Sequence, residues 1–243
     1  MNDSNMFLEG LWAADGSGAG AVRPAQQARS RAKLIRLLQA GRNALQAGSL
    51  EEMKISEIVR EAGTSVGAFY GRFENKEGFF LAIQEMAIAE IDVNMVDLFD
   101  GLNARQASLP ELLYKLSAFW VSLYRDNRGL YRAAFKHAST LPDAWTPFKR
   151  LGYRGSAQIA ENVLSRTEEL GIECDEHRVK TAMQFVNGLL VNSIINDPGP
   201  VRLDSPEMET HVARFLCTFL GVEHIEPSSF DRNRNAKSKR RPA

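Results

Sequence analysis

The side chains of this sequence best suited to contacting a polyanion lie within one short segment, residues 64–80, TSVGAFYGRFENKEGFF. Arg72 and Lys76 are cations that bind phosphate oxygens, and the Tyr70 hydroxyl is a further hydrogen-bond donor. Arg72 also has the planar fork of N–H groups that binds two acceptors on a guanine edge. Between them stand small residues such as Gly67, which let a second molecule approach the backbone closely. The chemistry of the segment therefore suits contact with nucleic acid.

Two helix starts divide this segment. Ser65, or Thr64 beside it, is a good N-cap for a short helix, and Asn75 caps the helix that follows. A preceding helix covers about residues 54–62 and ends at Gly63. Two short helices joined by a turn form a helix-turn-helix, whose second helix lies in the DNA major groove. Because that groove is about 12 Å wide, only a couple of helical turns reach base edges, which accounts for so short a helix.

Apolar residues at helical spacing indicate longer helices on both sides of this motif. Leu34, Leu38, Gly41 and Leu45 form one stripe of a helix that ends near Gly48. After the second cap the helical period continues through Phe79, Phe80, Ile83, Ile91, Met95 and Leu98. The sequence therefore predicts a helix-turn-helix braced by a helix before it and a helix after it.

The charge distribution agrees with a polyanion partner for the N-terminal part. Residues 21–76 hold ten basic and five acidic side chains, whereas residues 77–227 hold fourteen basic and twenty-one acidic ones. A basic head on an acidic body attracts polyanions. Charge alone does not decide the matter, because a similar split also arises by chance on solvated helix faces.

The remaining composition argues against a membrane protein and against an enzyme. In 243 residues no apolar run approaches the about 20 residues of a membrane span. Cys174 and Cys217 are far apart and lack the spacing of a disulfide framework or a zinc site, so we expect a cytoplasmic protein without metal or cofactor. The four histidines show neither an HExxH spacing nor a catalytic-triad signature, and we therefore expect no enzymatic activity.

The segment KISEIVREAGTSVGAFYGRFENKEGFF resembles the DNA-binding segment of the tetracycline-repressor (TetR-like) family of transcriptional regulators. The resemblance extends over about 50 residues, from near Leu34 to Ile83. Lys54 departs from the family pattern, which commonly has Thr there; the change removes a side-chain cap and adds a cation at a helix start. The residues in register with the pattern are Ile58, Ala62, Gly63, Ser65, Tyr70, Phe73, Lys76 and Glu77.

This resemblance implies a DNA contact surface on and around the short helix. Tyr70 resembles the tyrosine that packs at the DNA backbone in the family, and Lys76 resembles its phosphate-binding lysine. Phe69 and Phe73 belong to the core, and a core role for Tyr70 is the alternative. The complete predicted contact set is Lys54, Ser56, Ser65, Val66, Gly67, Ala68, Tyr70, Gly71, Arg72 and Lys76.

The last two helices of the chain resemble the pair that joins two subunits in this family, which implies a homodimer. The residues that we expect at its interface are Val186, Leu190, Ile194, Val212, Phe215, Leu216 and Phe219. The alternative is that both helices only close the core of a monomer.

The resemblance also implies a pocket for a small apolar or amphipathic effector in the helical body, with His137 and Asn187 as polar features of the interior. The candidates to line this pocket are Phe119, Trp120, Tyr124, Phe135, Trp145, Phe148, Met183 and Phe185. Aromatic residues at helical spacing are also ordinary core residues, and this second interpretation stays open.

These observations predict an all-α protein with an N-terminal three-helix DNA-binding domain, which contains the helix-turn-helix, and a C-terminal helical ligand-binding and dimerisation domain. The predicted divisions are a flexible arm (1–24), the DNA-binding domain (25–84), the effector-binding and dimerisation domain (85–225) and a basic disordered tail (226–243). The stretch FDRNRNAKSKRRPA carries six basic residues and one acidic residue. For this stretch, weak affinity for DNA and a role in solubility alone are both open.

The expected function is that of a transcriptional repressor, which binds a palindromic operator in double-stranded DNA as a homodimer and is released by a small-molecule effector. The alternative function is that of a helical protein–protein adaptor whose helix-turn-helix no longer binds DNA.

Overall fold

The computed structural model describes residues 24–138 and 142–224, and nine α-helices contain most of these residues. Within the two ranges no residue lies in a β-strand, which confirms the all-α prediction. The predicted arm, apart from Pro24, and the predicted basic tail lie outside the described residues. In chain order the helices are α1 (Pro24–Ala47), α2 (Ile55–Glu61), α3 (Val66–Tyr70), α4 (Lys76–Ala104), α5 (Leu109–Asp126), α6 (Arg128–His137), α7 (Thr146–Glu169), α8 (Glu176–Ile195) and α9 (Glu207–Leu220).

One predicted helix start differs from the structure. The sequence predicts that Pro142 opens the long helix through residues 145–164, but Pro142–Trp145 is a 3-10 turn and α7 begins only at Thr146. The carbonyl of Ala144, inside this turn, accepts a hydrogen bond from Gln84 Nε2 at 2.7 Å. This tertiary contact involves a residue 60 positions away, so local periodicity carries no signal for it.

The described chain divides into two compact units. The first contains the residues up to Asn94 together with Asn127–Leu151, and the second contains Met95–Asp126 and the residues from Gly152 onward. Helices α4 and α7 contribute residues to both units. Helix α6 therefore clusters with the helix-turn-helix, although the sequence assigned it to the body; the functional division into domains stays a prediction.

In the first unit, α1 lies close to α4. Leu34, Leu38 and Leu45 are buried, as their spacing predicts. Gly41 of the same stripe lies against side chains of α4, since a β-carbon there would lie 2.5 Å from Ile83 Cδ1 and 2.6 Å from Phe79 Cζ. A glycine at this position thus lets the side chains of α4 reach the backbone of α1.

In the second unit, α5, α8 and α9 contain most of the core. Their buried apolar residues recur at helical spacing, as expected for amphipathic helices that pack against one another. Arg125 of α5 adds two polar contacts: its Nη2 donates to the Leu203 carbonyl in the segment before α9 at 3.0 Å, and its Nη1 lies 3.3 Å from Glu209 Oε1 in the first turn of α9. The buried apolar residues include Leu112, Leu113, Leu116, Val121, Val179, Ala182, Met208, Val212, Ala213 and Leu216.

Helix α6 packs on the end of α1 with almost no space between the two backbones. The Gly129 amide donates to Gln46 Oε1 at 2.8 Å. A β-carbon at Gly129 would lie 2.8 Å from the Gln46 α-carbon and closer still to the Leu45 carbonyl. Arg42 adds a hydrogen bond to Asn127 Oδ1 at 2.8 Å and an ion pair with Glu90 at 2.6 Å. A glycine is therefore required where α6 crosses α1.

We predict that Gly129→Ala lowers the free energy of unfolding by about 1–3 kcal/mol, because the added methyl group meets backbone atoms that cannot turn away. Chemical denaturation followed by circular dichroism measures this change.

Gly152→Ala is the matched control, since Gly152 also lies inside an α-helix but has no atom within 4 Å of the position of a β-carbon. Its expected effect is neutral or a stabilisation of up to about 1 kcal/mol from the better helix propensity of alanine. Equal stability of the two variants would contradict the close crossing of α6 and α1.

Candidate nucleic-acid interface

The turn between α2 and α3 is built from a glycine and a capping serine. Gly63 has a φ of +64°, a conformation that favours glycine, and the Thr64 amide then donates to the Val59 carbonyl at 2.9 Å. Ser65 is extended, and its Oγ accepts a hydrogen bond from the Ala68 amide at 3.1 Å. The predicted N-cap is thus Ser65, and the turn sets the direction of α3.

Helix α3 has one buried side chain and an exposed outer face. Phe69 is fully buried, with its ring centroid 5.3 Å from that of Phe73 and 5.0 Å from that of Phe79. Tyr70 is 55% exposed, so its side chain is not part of the core. The other exposed residues of this face are Val66, Gly67, Ala68 and Gly71, all of which belong to the predicted contact set.

Lys76 is the first residue of α4, directly after the capping residue Asn75, whose Oδ1 accepts from the Gly78 amide at 2.8 Å. The Lys76 Nζ donates to the Glu51 carbonyl at 3.2 Å, and the side chain is half-buried. An ammonium group has three donors, so this bond orients Lys76 and leaves capacity for a phosphate oxygen.

Arg72 has a partner that the sequence does not predict. Its Nη2 donates to Ser30 Oγ on α1 at 2.7 Å, and the arginine is half-buried. The predicted bidentate contact with guanine needs two parallel N–H groups on the accessible side. In this arrangement Arg72 ties the end of α3 to α1, and base reading by Arg72 stays a prediction.

Lys54 and Ser56 are exposed at the start of α2, and the Lys54 side chain does not cap the helix. Lys54 Nζ lies 3.2 Å from Glu57 Oε1, but both side chains are more than half exposed. A surface pair of this kind is worth little, so it does not hold Lys54 away from other anions.

Glu51 joins the loop before α2 to the end of α6. Its Oε1 lies 2.7 Å from Lys136 Nζ and 3.5 Å from His137 Nε2. The hydrogen bond from Lys136 lowers the pKa of Glu51 from 4.5 to about 2, so the carboxylate is charged at neutral pH. Because the carbonyl of Glu51 also accepts from Lys76, one residue contacts both α6 and the predicted phosphate-binding lysine.

The eight predicted pocket residues are divided between the two compact units. In the first unit Tyr131 stacks on Phe148 at 4.2 Å between ring centroids and lies 6.2 Å from Trp145. Trp145 in turn contacts both Phe148 and Phe135. The other five lie in the second unit. The ring of Phe119 is 6.1 Å from that of Trp120, and Trp120 and Tyr124 both donate hydrogen bonds to Asn187 Oδ1, at 2.7 and 3.0 Å. Met183 is buried, whereas Phe185 is exposed beside Phe215 and Phe219.

Two cavities in the described parts of the chain lie away from these eight residues. One of about 450 Å³ lies between the end of α1 and α2, and its lining includes Asn43, Met53 and Glu61. The other, of about 910 Å³, lies where α7 gives way to α8 and is lined by Leu164, Cys174 and Arg178 among others. None of the eight residues lines either cavity, and the position of an effector pocket stays a prediction.

The predicted dimer residues are largely inside the single chain. Val186, Leu190, Val212 and Leu216 are buried in the second unit, so they have no surface for a partner. A second apolar stripe lies beside these residues on α8 and α9 and is exposed; Phe185 within it is 53% exposed. Besides Phe185, this exposed stripe contains Leu189 and the half-buried Ile194, Phe215 and Phe219.

Two features are absent from the described residues. In residues 24–138 and 142–224, no three or more His, Cys, Asp or Glu side chains are grouped so that they could hold a metal ion. No helix in these ranges is long and apolar enough to cross a membrane.

The fold and the interface together define a helical protein with an N-terminal helix-turn-helix. Residues 37–83, which run from the middle of α1 into α4, match the family model described as bacterial regulatory proteins, tetR family. This match places the N-terminal segment of the chain in the tetR family and confirms the resemblance carried by its motif. Residues 37–83 therefore correspond to the DNA-binding segment described by that family model.

Solved structures share the fold over most of the chain. A TetR-family transcriptional regulator from Mesorhizobium loti MAFF303099 is 18% identical, with a TM-score of 0.59 over 81% of this chain and 99% of that chain. A transcriptional regulator from Cytophaga hutchinsonii ATCC 33406 is 14% identical, with a TM-score of 0.59 over 78% and 95%. GusR of Salmonella enterica is 16% identical, with a TM-score of 0.55 over 78% and 95%. No curated protein matches the chain.

We predict that Ser65→Ala destabilises α3 by about 1 kcal/mol, because the Ala68 amide loses its capping partner. Hydrogen exchange at the Ala68 amide, measured by NMR, should accelerate accordingly.

The variant Ser65→Asp distinguishes the capping role of residue 65 from a role in contacting DNA. Aspartate is an equally good N-cap, so exchange at Ala68 should stay slow, while its charge repels phosphate and should weaken DNA binding. Slow exchange in Ser65→Ala would show that the serine cap does not hold the helix.

Proposed function

We propose that the protein is a transcriptional repressor that binds a palindromic operator as a homodimer and leaves the DNA when a small-molecule effector binds. The observation that carries this proposal is the exposed outer face of α3, with Tyr70 projecting from it and Lys76 at the start of the next helix. As a protein that acts on DNA in a bacterial cell, it would work in the cytoplasm.

The proposed DNA contacts fall into two kinds. Tyr70, Lys76 and the exposed Lys54 suit phosphate oxygens, which fix position and carry no sequence information. The centre of the exposed face consists of Val66, Gly67 and Ala68, which offer methyl groups and open backbone but no long polar side chain. Contacts with thymine methyl groups and recognition of DNA shape would therefore supply more of the selectivity than hydrogen bonds to bases.

The proposed dimer would join the exposed stripe of α8 and α9 to its copy. Phe185 lies 6.1 Å from Phe215 and 5.7 Å from Phe219 between ring centroids, so three aromatic rings adjoin on one surface. Aromatic side chains exposed together are typical of association surfaces. Two copies of α3 spaced about 34 Å apart would then contact successive turns of one groove.

Helix α6 is the element through which an effector would act on the predicted DNA-binding domain, residues 25–84, which is called the head below. It follows α5 after a single residue, Asn127, and its two ends contact the head. At the first end Gly129 lies against α1, and at the second end Lys136 contacts Glu51, whose carbonyl holds Lys76. An effector that favours another position of α6 would shift α1 and Lys76 together, which lowers the population able to bind DNA.

We predict that Lys76→Gln weakens binding to the DNA upstream of the gene and lowers the slope of log affinity against log salt by about one. Fluorescence anisotropy with a labelled duplex across a salt series measures both quantities.

Lys115→Gln is the matched control, because Lys115 is an exposed lysine of α5 and its side chain makes no hydrogen bond or ion pair within the described ranges. It should bind as the unmodified protein does. Absence of salt-dependent binding by the unmodified protein would reject DNA binding and favour the adaptor function.

We predict that Phe185→Glu converts the dimer into a monomer, since it places a charge in the exposed aromatic stripe. Sedimentation velocity measures the change, and DNA affinity should fall with it because only one half-site is then held.

Val93→Glu is the control, as Val93 is 58% exposed on α4 and belongs to the other compact unit. It should leave the sedimentation coefficient unchanged. A monomeric unmodified protein would contradict the proposed dimer directly.

A further inference from the structure

The cavity of about 910 Å³ in the second unit is an open groove with an apolar wall and an acidic edge. Leu164, Ile172 and Phe219 supply the apolar wall. Glu168 and Glu173 are exposed on its edge, and their carboxylates pair with no side chain in the described ranges. Two acidic groups without a cationic partner beside apolar surface suit a ligand that is both basic and apolar.

The cation inside the groove does not neutralise this edge. Arg178 Nε donates to the Phe219 carbonyl at 2.8 Å, and Nη1 donates to the Glu173 carbonyl at 3.2 Å. Asp175 Oδ1 accepts from the Arg178 amide at 2.7 Å and so caps α8. The guanidinium thus bonds to backbone carbonyls, and the charged side chains of the lining sum to a negative value.

The end of the described chain passes along this groove. Helix α9 ends at Leu220, and Gly221 then turns the chain with a φ of +74°. A β-carbon at Gly221 would lie 4.0 Å from both Ile172 Cγ2 and Arg178 Nη2, which are lining residues. The next part of the sequence, IEPSSFDRNRNAKSKRRPA, contains Phe230 and, after it, six basic residues. Its composition is complementary to the groove.

We propose that the segment following His224 is an intramolecular ligand of this groove, with Phe230 against the apolar wall and Arg232 and Arg234 paired with Glu168 and Glu173. The six residues from His224 to Phe230 span about 20 Å when extended, which is long enough to bring Phe230 back over the groove beside Gly221. Because the segment is tethered beside its site, its effective concentration is of millimolar order, and even a weak contact is populated. This inference does not depend on the proposed DNA binding.

Cys174 provides a direct measurement, because it lines the groove and is half-exposed. The second cysteine, Cys217, is 2% exposed, and burial raises the pKa of its thiol to about 11, so a maleimide reports on Cys174. We compare the full chain with Phe230→Ser/Arg232→Ser/Arg234→Ser. Labelling of Cys174 should be about threefold or more faster in this tail variant, because the groove is uncovered.

The direction of this change is diagnostic. Loss of nearby positive charge would by itself raise the pKa of Cys174 and slow the labelling. In the full chain, 1 M salt should accelerate labelling towards the rate of the tail variant, since screening shortens to about 3 Å. A synthetic peptide of residues 228–241, added at millimolar concentration, should restore slow labelling in the tail variant.

Glu168→Gln/Glu173→Gln tests the acidic edge. In the full chain this double substitution should accelerate labelling of Cys174, because it releases the segment and also favours ionisation of the thiol. In the tail variant the segment is already released, so only the effect on thiol ionisation remains. The effects of the Glu→Gln and the tail substitutions on the labelling rate should therefore be non-additive. Glu176→Gln is the control, because Glu176 pairs with Lys180 at 2.5 Å and does not line the groove.

Three results would overturn the proposal. Equal labelling of the full chain and the tail variant would mean that the segment does not cover the groove. Additive effects of the two sets of substitutions would mean that the carboxylates do not hold it. Protection that persists in the tail variant and grows with protein concentration would assign the groove to a second copy of the chain instead.

Discussion

Phe69 is the inward side chain of a helix of only five residues, and its ring is fully buried against Phe73 and Phe79. A helix of this length does not form by itself in water, because nucleation costs more than its few hydrogen bonds return. Burial of one phenylalanine contributes about 2–3 kcal/mol and the Ser65 cap about 1 kcal/mol. These two interactions hold α3 in place, and the same orientation leaves Tyr70 and Val66 on the outer face.

The position of α3 also depends on contacts made by its neighbours. Arg72 ties its far end to Ser30 of α1, and α1 in turn accommodates α4 at Gly41 and α6 at Gly129. Both glycines let neighbouring atoms reach the backbone of a helix, so small displacements there meet steep repulsion. Under the proposed function, a displacement of α6 would therefore be passed to α1 rather than absorbed between the two helices.

The second unit separates two apolar stripes that lie side by side on α8. Val186 and Leu190 enter the core with α5 and α9, whereas Phe185 and Leu189 remain exposed. Phe219, at the end of α9, adjoins the aromatic stripe and also lines the groove at the start of α8. Contiguous exposed apolar surface usually marks an association site. The proposed occupant of the aromatic stripe is a second copy of the chain, and the proposed occupant of the groove is the chain's own C-terminal segment.

The sequence by itself determined the helices apart from the start of α7, the turn at Gly63, the caps at Ser65 and Asn75, and the match of the N-terminal segment to a family, because each depends on residues within a few positions. Only the tertiary structure decided which stripe of α8 is exposed, that Arg72 contacts Ser30, and that Glu51 joins Lys136 to Lys76. The partners in the Arg72 contact are 42 positions apart, and no local pattern encodes such a distance. Periodicity identifies an apolar face, but packing against α5 and α9 selects which of two adjacent stripes fills the core.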